Sequence, residues 1–275
     1  MELSLLWAIA QRELREALRN KWLWFYALGF TTLAYALSRA GLASSGYAGL
    51  GGFGRTAASL VNALLLFVPL IGLSVGAGTL AADRERGSLF YLMAQPVSRA
   101  EIFFGKALGA ALAVITALGL GFGLAGFGLA TAGDGNAISY LGLAGISLLF
   151  ALVSLGLGLV ISASTRKAAT ASGASLLLWL ALVFLGDLVL VGVVLSLRPT
   201  PAAIMGLLLA NPLQIFKLSA IYSLRATLDV LGPVGQYAVS RFGDALPALL
   251  IGLLLVWILV SFGTAFFLFN RKGDA

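Results

Sequence analysis

From Ala168 to Leu195 the chain carries one charged side chain, Asp187. A helix of that length and polarity crosses the hydrocarbon core of a bilayer, which takes about 20 apolar residues. Trp22–Leu37, Ala57–Ala82, Ala107–Thr131, Ser139–Ser162 and Ala245–Phe269 read the same way, the first of them short. Soluble domains carry about 25% charged residues, and this chain carries 11%. It cannot cover a surface with polar groups, so water is the wrong solvent. In lipid every backbone N–H and C=O must find a partner within the protein, which leaves helices or closed barrels. Barrel strands alternate over about ten residues, and these runs do not alternate. The sequence predicts an all-α polytopic membrane protein, one domain over 1–275 with about six transmembrane helices.

Orientation follows from charge. The chain has 18 Lys and Arg against 11 Asp and Glu. With both termini in the cytoplasm, two-thirds of the basic residues fall inside; Arg39, Arg55, Arg198, Lys217, Arg225 and Arg241 fall outside, with Asp134, Asp229 and Asp244. The positive-inside rule favours that arrangement. In a bacterium this is a multi-pass protein of the inner membrane. The positive excess points to anionic membrane lipid as a partner, not to nucleic acid. The start, Met-Glu-Leu-Ser-Leu-Leu-Trp, lacks the basic region of a signal peptide, and no cleavage is expected.

Three pieces do not span. Residues 2–21 read as an interfacial helix: Trp7, Ala10, Leu14, Ala17 and Leu18 share one face, and Arg12, Glu16 and Arg19 the other. Residues 83–106 form a charged cytoplasmic loop of two short helices. Leu89, Leu92 and Met93 line the first, Pro96 breaks it, Ser98 caps the second with Glu101 three residues on, and Gly105-Lys106 hands over to the next span. Residues 196–244 hold four prolines around the apolar run Ala202–Ala210, and are expected to form short external helices on, or dipping into, the outer leaflet. Glycines cluster in the spans, at Gly72–Gly78 and Gly119–Gly128, where small residues four apart let helix backbones approach.

Most chemistry is excluded. There is no Cys and no His, so thiolate chemistry, the commonest metal ligand and the usual general base are missing. Gly72-Leu-Ser-Val-Gly76 matches a nucleophile elbow, but within an apolar run and with no His base it reads as helix packing. Ser164-Thr-Arg-Lys167 sits at a span end where basic residues are expected. No phosphate-binding loop exists: Gly105-Lys106 is followed by Ala107. The chain is expected to be no enzyme, with no catalytic residue, metal or cofactor of its own. Asp187 lies about 19 residues into its run, roughly 28 Å along the helix. That is near the outer interface, where it either hydrogen-bonds between helices or lines an exit path.

The most specific stretch is Asp83-Arg84-Glu85-Arg86-Gly87-Ser88-Leu89, followed by Pro96-Val-Ser-Arg99 and Glu101-Ile with Gly105-Lys106. It resembles the first cytoplasmic loop of type-2 ABC exporter permeases. The resemblance implies that Asp83, Arg84, Glu85, Arg86, Gly87, Ser88 and Leu89 form a coupling helix docked on a cytoplasmic ABC ATPase. The chain would then act as a homodimer with two ATPase copies, and ATP and Mg would belong to the partner. A narrower likeness lies in Asn211-Pro-Leu-Gln-Ile-Phe-Lys217, Phe184-Leu-Gly-Asp187 and the ending Phe266–Lys272. These resemble NosY-type permeases, which work with a cytoplasmic ATPase and a periplasmic β-helical protein in maturing the copper site of nitrous oxide reductase. That likeness implies an external or exit region at Asp187, Asn211, Pro212, Phe216 and Lys217. The alternatives are an ABC exporter of lipid, polysaccharide or drug, and a stand-alone secondary transporter.

Overall fold

The computed structural model describes residues 3–45, 51–131, 137–197, 199–223 and 233–272, and all regular structure among them is helical. Arg198, Arg225, Asp134 and Asp229, assigned above to the outside, lie beyond the described residues. α1 (Leu3–Leu18) precedes α2 (Lys21–Ser45), α3 (Gly51–Glu85), α4 (Ser88–Met93), α5 (Arg99–Thr131) and α6 (Ala137–Ser164). α7 (Ala168–Leu180) continues through a π-helical turn, Ala181–Leu185, into α8 (Gly186–Leu197). α9 (Pro201–Ala210), α10 (Pro212–Ser223), α11 (Pro233–Phe242) and α12 (Leu246–Lys272) complete the chain.

Among the described residues, five helical stretches are long and apolar enough to span: Val61–Glu85, Arg99–Phe127, Ile138–Ser164, Ala168–Val193 and Gly235–Arg271. They match five of the six expected runs, and the sixth, Trp22–Leu37, lies within α2. α1 ends at Leu18, whose carbonyl accepts from the Trp24 indole at 2.6 Å. Asn20 then caps α2, its Oδ1 accepting from the Trp22 N–H at 3.0 Å. Trp22, Trp24 and Phe25 are exposed here, the pattern of an aromatic belt at a membrane surface.

The expected loop 83–106 is shorter than the sequence implied. Asp83–Glu85 close α3, and Arg99–Lys106 are the first turns of α5, not a separate helix. Nothing between Glu101 and Ala107 breaks a helix. Gly105 is accommodated because its bare Cα faces Ile9, where a Cβ would meet that side chain at 2.9 Å. The capping box forms: the Ser98 N–H and hydroxyl donate to Glu101 Oε2 at 2.9 and 2.8 Å, and the Glu101 N–H donates to Ser98 Oγ at 3.2 Å.

The most extensive helix pair is α3 against α6, with α12 also on α6 and α2 on both α3 and α5. Its backbones touch. A Cβ at Gly72 would lie 2.6 Å from the Ala151 carbonyl oxygen, and one at Gly158 2.6 Å from that of Leu73. Ser162 Oγ accepts from the N–H groups of Leu80 and Ala81 at 2.9 and 2.8 Å and donates to the Ala77 carbonyl at 2.7 Å. The second glycine cluster behaves differently. Gly121 and Gly126 face the rings of Phe30 and Tyr140, and Gly119 and Gly123 face open space. In the spans that carry the two glycine clusters, close backbone approach is therefore seen at the α3–α6 seam and not along Gly119–Gly126.

Candidate functional site

Gly87 sits at the turn after α3 with φ of 74°. A side chain there would be strained, so glycine is the residue that lets the chain reverse into α4. α4 is short and two-sided. Leu89 and Leu92 are buried, with Met93 packed against the same core. Phe90 and Tyr91 point outward, 58% and 74% exposed. Two large aromatics are thus left bare on one turn.

The four charged residues before Gly87 do not face outward together. Each is engaged with neighbouring elements. Asp83 Oδ2 accepts from Lys106 Nζ of α5 at 2.7 Å. Arg84 Nη1 donates to the carbonyls of Ser162 and Thr165 at the C-terminal end of α6, at 3.2 and 2.5 Å. Glu85 Oε2 accepts from the Ala168 N–H at 2.8 Å, at the N-terminus of α7, where a carboxylate also complements the helix dipole. Arg86 Nη2 pairs with Glu16 of α1 and with Asp83 Oδ1 at 3.0 Å. Ser88 Oγ closes the turn by donating to the Asp83 carbonyl at 3.3 Å. The last turn of α3 and the residue after it thus tie together α1, α5, α6 and α7.

The cluster has a buried centre. Lys106 also contacts Glu13 of α1, and the side chains of Lys106, Asp83 and Glu13 are 3%, 2% and 9% exposed. Each buried ion would cost several kcal/mol alone, and mutual pairing offsets this. α1 sits closely on α5, where a Cβ at Gly109 would clash with the Ala10 carbonyl oxygen and with Glu13. Burial holds the Glu13 carboxyl above the usual glutamate range, while Lys106 pulls the other way. Burial works against the charge on Arg86, but Glu16 and Asp83 outweigh it and hold its pKa above the ordinary arginine value. Glu13 was not singled out from sequence, and Lys106 only as the residue that ends the loop motif and hands over to the next span. The signal was there: Glu13 falls on the inward stripe Ala10, Leu14, Ala17, and Lys106 is a lone charge at the mouth of an apolar run. Trp7, placed on that inward face from sequence, is half exposed. Ile9 packs inward in its place, because the contact stripe is shifted around the helix toward Glu13.

Beyond the far end of α7, Asp187 is the second residue of α8, which follows the π-helical turn. π-turns concentrate at functional sites. Asp187 Oδ1 accepts from Gln214 Nε2 at 2.6 Å, and Oδ2 lies 3.7 Å from Lys217 Nζ. Both partners belong to α10, which meets α9 at 108°. Asn211 is at that corner, with its Oδ1 accepting from the Leu213 N–H at 2.9 Å. Its amide nitrogen would lie 2.6 Å from a Cβ at Gly186. Pro212 and Phe216 are buried, and Phe216 stacks on Phe150 at 4.7 Å with an 11° interplanar angle. The structure therefore gathers Asp187, Asn211 and Lys217 on one surface and puts Pro212 and Phe216 in the packing beneath. Gln214 joins them; its place one turn before Lys217 was the available signal.

The comparisons agree with this architecture. A family model described as ABC-2 family transporter protein matches residues 7–273. The chain is 31% identical over 276 residues to the probable ABC transporter permease protein NosY of Stutzerimonas stutzeri, covering 97% of this chain and 98% of that protein. It is 32% identical over 223 residues to the protein of the same description from Pseudomonas aeruginosa, covering 78% and 81%. Membership of this family implies a cytoplasmic ATPase partner. The match runs over nearly the whole chain and takes in the hub, the α3–α6 seam and the α9–α10 corner, and the chain belongs to the ABC-2 family as a multi-pass transporter permease.

Proposed function

We propose that the chain couples ATP hydrolysis by two cytoplasmic ABC ATPase subunits to export, or to force transmission toward a periplasmic partner, in copper-site maturation of nitrous oxide reductase. The observation that carries this reading is the hub Asp83–Arg86. A push on the bare Phe90–Tyr91 surface of α4 passes through Gly87 into a turn joined to four other helices. In this reading α4 is the coupling helix. Phe90, Tyr91 and the exposed side of Arg86 meet the ATPase, while Asp83, Arg84 and Glu85 relay the movement. The copper role rests on the relatives' description and on the Asn211–Lys217 likeness. With no Cys or His and three scattered Met the chain is poor in the ligands copper prefers, and in this reading metal handling falls to the external partner.

Both termini lie in the cytoplasm of a bacterial inner membrane in this reading, so the Asp187–Lys217 surface faces the periplasm. The acting unit is a homodimer. Across the most apolar window of Ala168–Val193 no residue is buried, and before it Ala169, Ser172 and Gly173 are exposed, small residues of the kind that helix pairs use in membranes. The test is a mild-detergent capture of the tagged chain from its native membranes, with mass spectrometry of what accompanies it. An ATPase with a periplasmic β-helical protein is expected. An ATPase alone would remove the copper role, and no ATPase from a complex shown to be intact would remove the coupling role.

A further inference from the structure

We propose that the cavity between α1 and the inner end of α3 holds the phosphate headgroup of an anionic phospholipid, one acyl chain lying along α3. The cavity has a volume of about 1020 Å³. Arg12, Arg15 and Arg19 of α1 line one wall. Their spacing of three and four residues puts them on one helical stripe. Three carboxylates also border the space, and each is already engaged. Glu13 is on Lys106, Glu16 is on Arg86, and Glu85 accepts from the Ala168 N–H. Among the described residues no acidic side chain pairs with Arg12, Arg15 or Arg19. Three arginines are left lining one space, and the guanidinium fork suits phosphate oxygens.

The opposite wall names the rest of the ligand. Val75, Gly78, Thr79 and Ala82 of α3 line it, on one stripe of the span Val61–Glu85. The Thr79 hydroxyl donates to the Val75 carbonyl at 2.9 Å, so that side chain has no need of a polar partner. At Gly78 a Cβ would meet nothing within 4 Å. The small-residue channel therefore runs from the arginines into the membrane-spanning helix. A free phosphate would use the arginines and leave the channel idle. An amphiphile with an anionic head uses both. The exposed Trp22 and Trp24 just beyond α1 set the level at the headgroup layer. This inference rests on α1 lying at the cytoplasmic membrane surface, and it needs no ATPase.

The experiment uses the full-length protein, stripped of lipid in mild detergent and offered phosphatidylglycerol, phosphatidylcholine or inorganic phosphate, with bound molecules counted by native mass spectrometry. Phosphatidylglycerol is expected to bind at least tenfold more tightly than phosphatidylcholine. R12Q/R15Q/R19Q is expected to abolish that preference. Gly78→Leu, which fills the channel and leaves every charge in place, is expected to weaken phosphatidylglycerol at least fivefold. Circular dichroism and gel filtration verify that both variants are folded. Equal binding of the two lipids, or no effect of either variant, would overturn the site. Displacement of the lipid by equimolar inorganic phosphate would overturn the lipid as its source. A triple variant that keeps its lipid preference but no longer captures the ATPase would assign the arginines to that protein instead. Failure of the wild type to capture an ATPase leaves the lipid-binding arms of this test intact.

Discussion

Lys106 Nζ lies 2.7 Å from Asp83 Oδ2, both side chains almost wholly enclosed, and Glu13 contacts the same ammonium from the other side. One cation thus serves two carboxylates from two helices. Removing it leaves Glu13 buried without its partner and Asp83 with Arg86 alone. K106M is expected to destabilise the protein by about 3–5 kcal/mol, the range for breaking a buried ion pair from one side. E13Q leaves Lys106 paired with Asp83 and is expected to cost about 1 kcal/mol or less. Thermal melts in detergent compare the two, and equal losses would mean that the cluster does not work as a shared pair.

Glu13 also sets a pH dependence. Burial places its folded pKa above the unfolded value, so protonation favours the fold. Its contribution is fully present below the ordinary glutamate value of 4.5 and is lost as pH rises through the folded pKa. The melting temperature of the wild type is therefore expected to fall as pH is raised from 4.5 toward neutrality, and E13Q to flatten that slope. Parallel slopes for the two proteins would contradict the assignment.

The α3–α6 seam separates glycines that are needed from glycines that are tolerated. A Cβ at Gly158 meets the Leu73 carbonyl oxygen at 2.6 Å, whereas at Gly119 it meets nothing within 4 Å. G158A is expected to cost about 1–3 kcal/mol by overpacking. G119A on α5 is expected to be neutral or slightly stabilising, because alanine is the better helix former. Melting curves of the two variants, measured together, read the difference.

How far the sequence reaches can be seen residue by residue. Periodicity and run length identified the spans, because lipid makes long apolar helices obligatory. The Ser98–Glu101 cap was also legible, since its partners are three residues apart. The hub was only half legible. Asp83–Arg86 stood out as a charge run, but the run looks outward until Lys106, Ser162, Ala168 and Glu16 are brought to it by the fold. Those contacts cross as many as 83 residues of chain, and no local pattern encodes them. For the same reason Phe90 and Tyr91 were passed over in favour of the charges beside them.

Asp187 and Lys217 are a different kind of pair. Their oxygen and nitrogen are 3.7 Å apart, with side chains 54% and 31% exposed. A pair that open to solvent contributes about 0–1 kcal/mol. D187N is expected to leave the melting temperature within a degree or two while reducing activity of the assembled system. A large drop in stability would make Asp187 a packing residue and remove it from the external surface.

The most direct test of the coupling account is ATP hydrolysis by the permease–ATPase complex in lipid vesicles, measured with two double variants. F90A/Y91A removes the bare aromatic surface of α4 and leaves the hub intact. R84Q/E85Q leaves that surface and loosens the ties to α6 and α7. The account predicts that F90A/Y91A weakens ATPase binding at least tenfold, and that R84Q/E85Q binds normally but loses most of the permease-dependent stimulation. Normal binding and normal stimulation in both variants would contradict it.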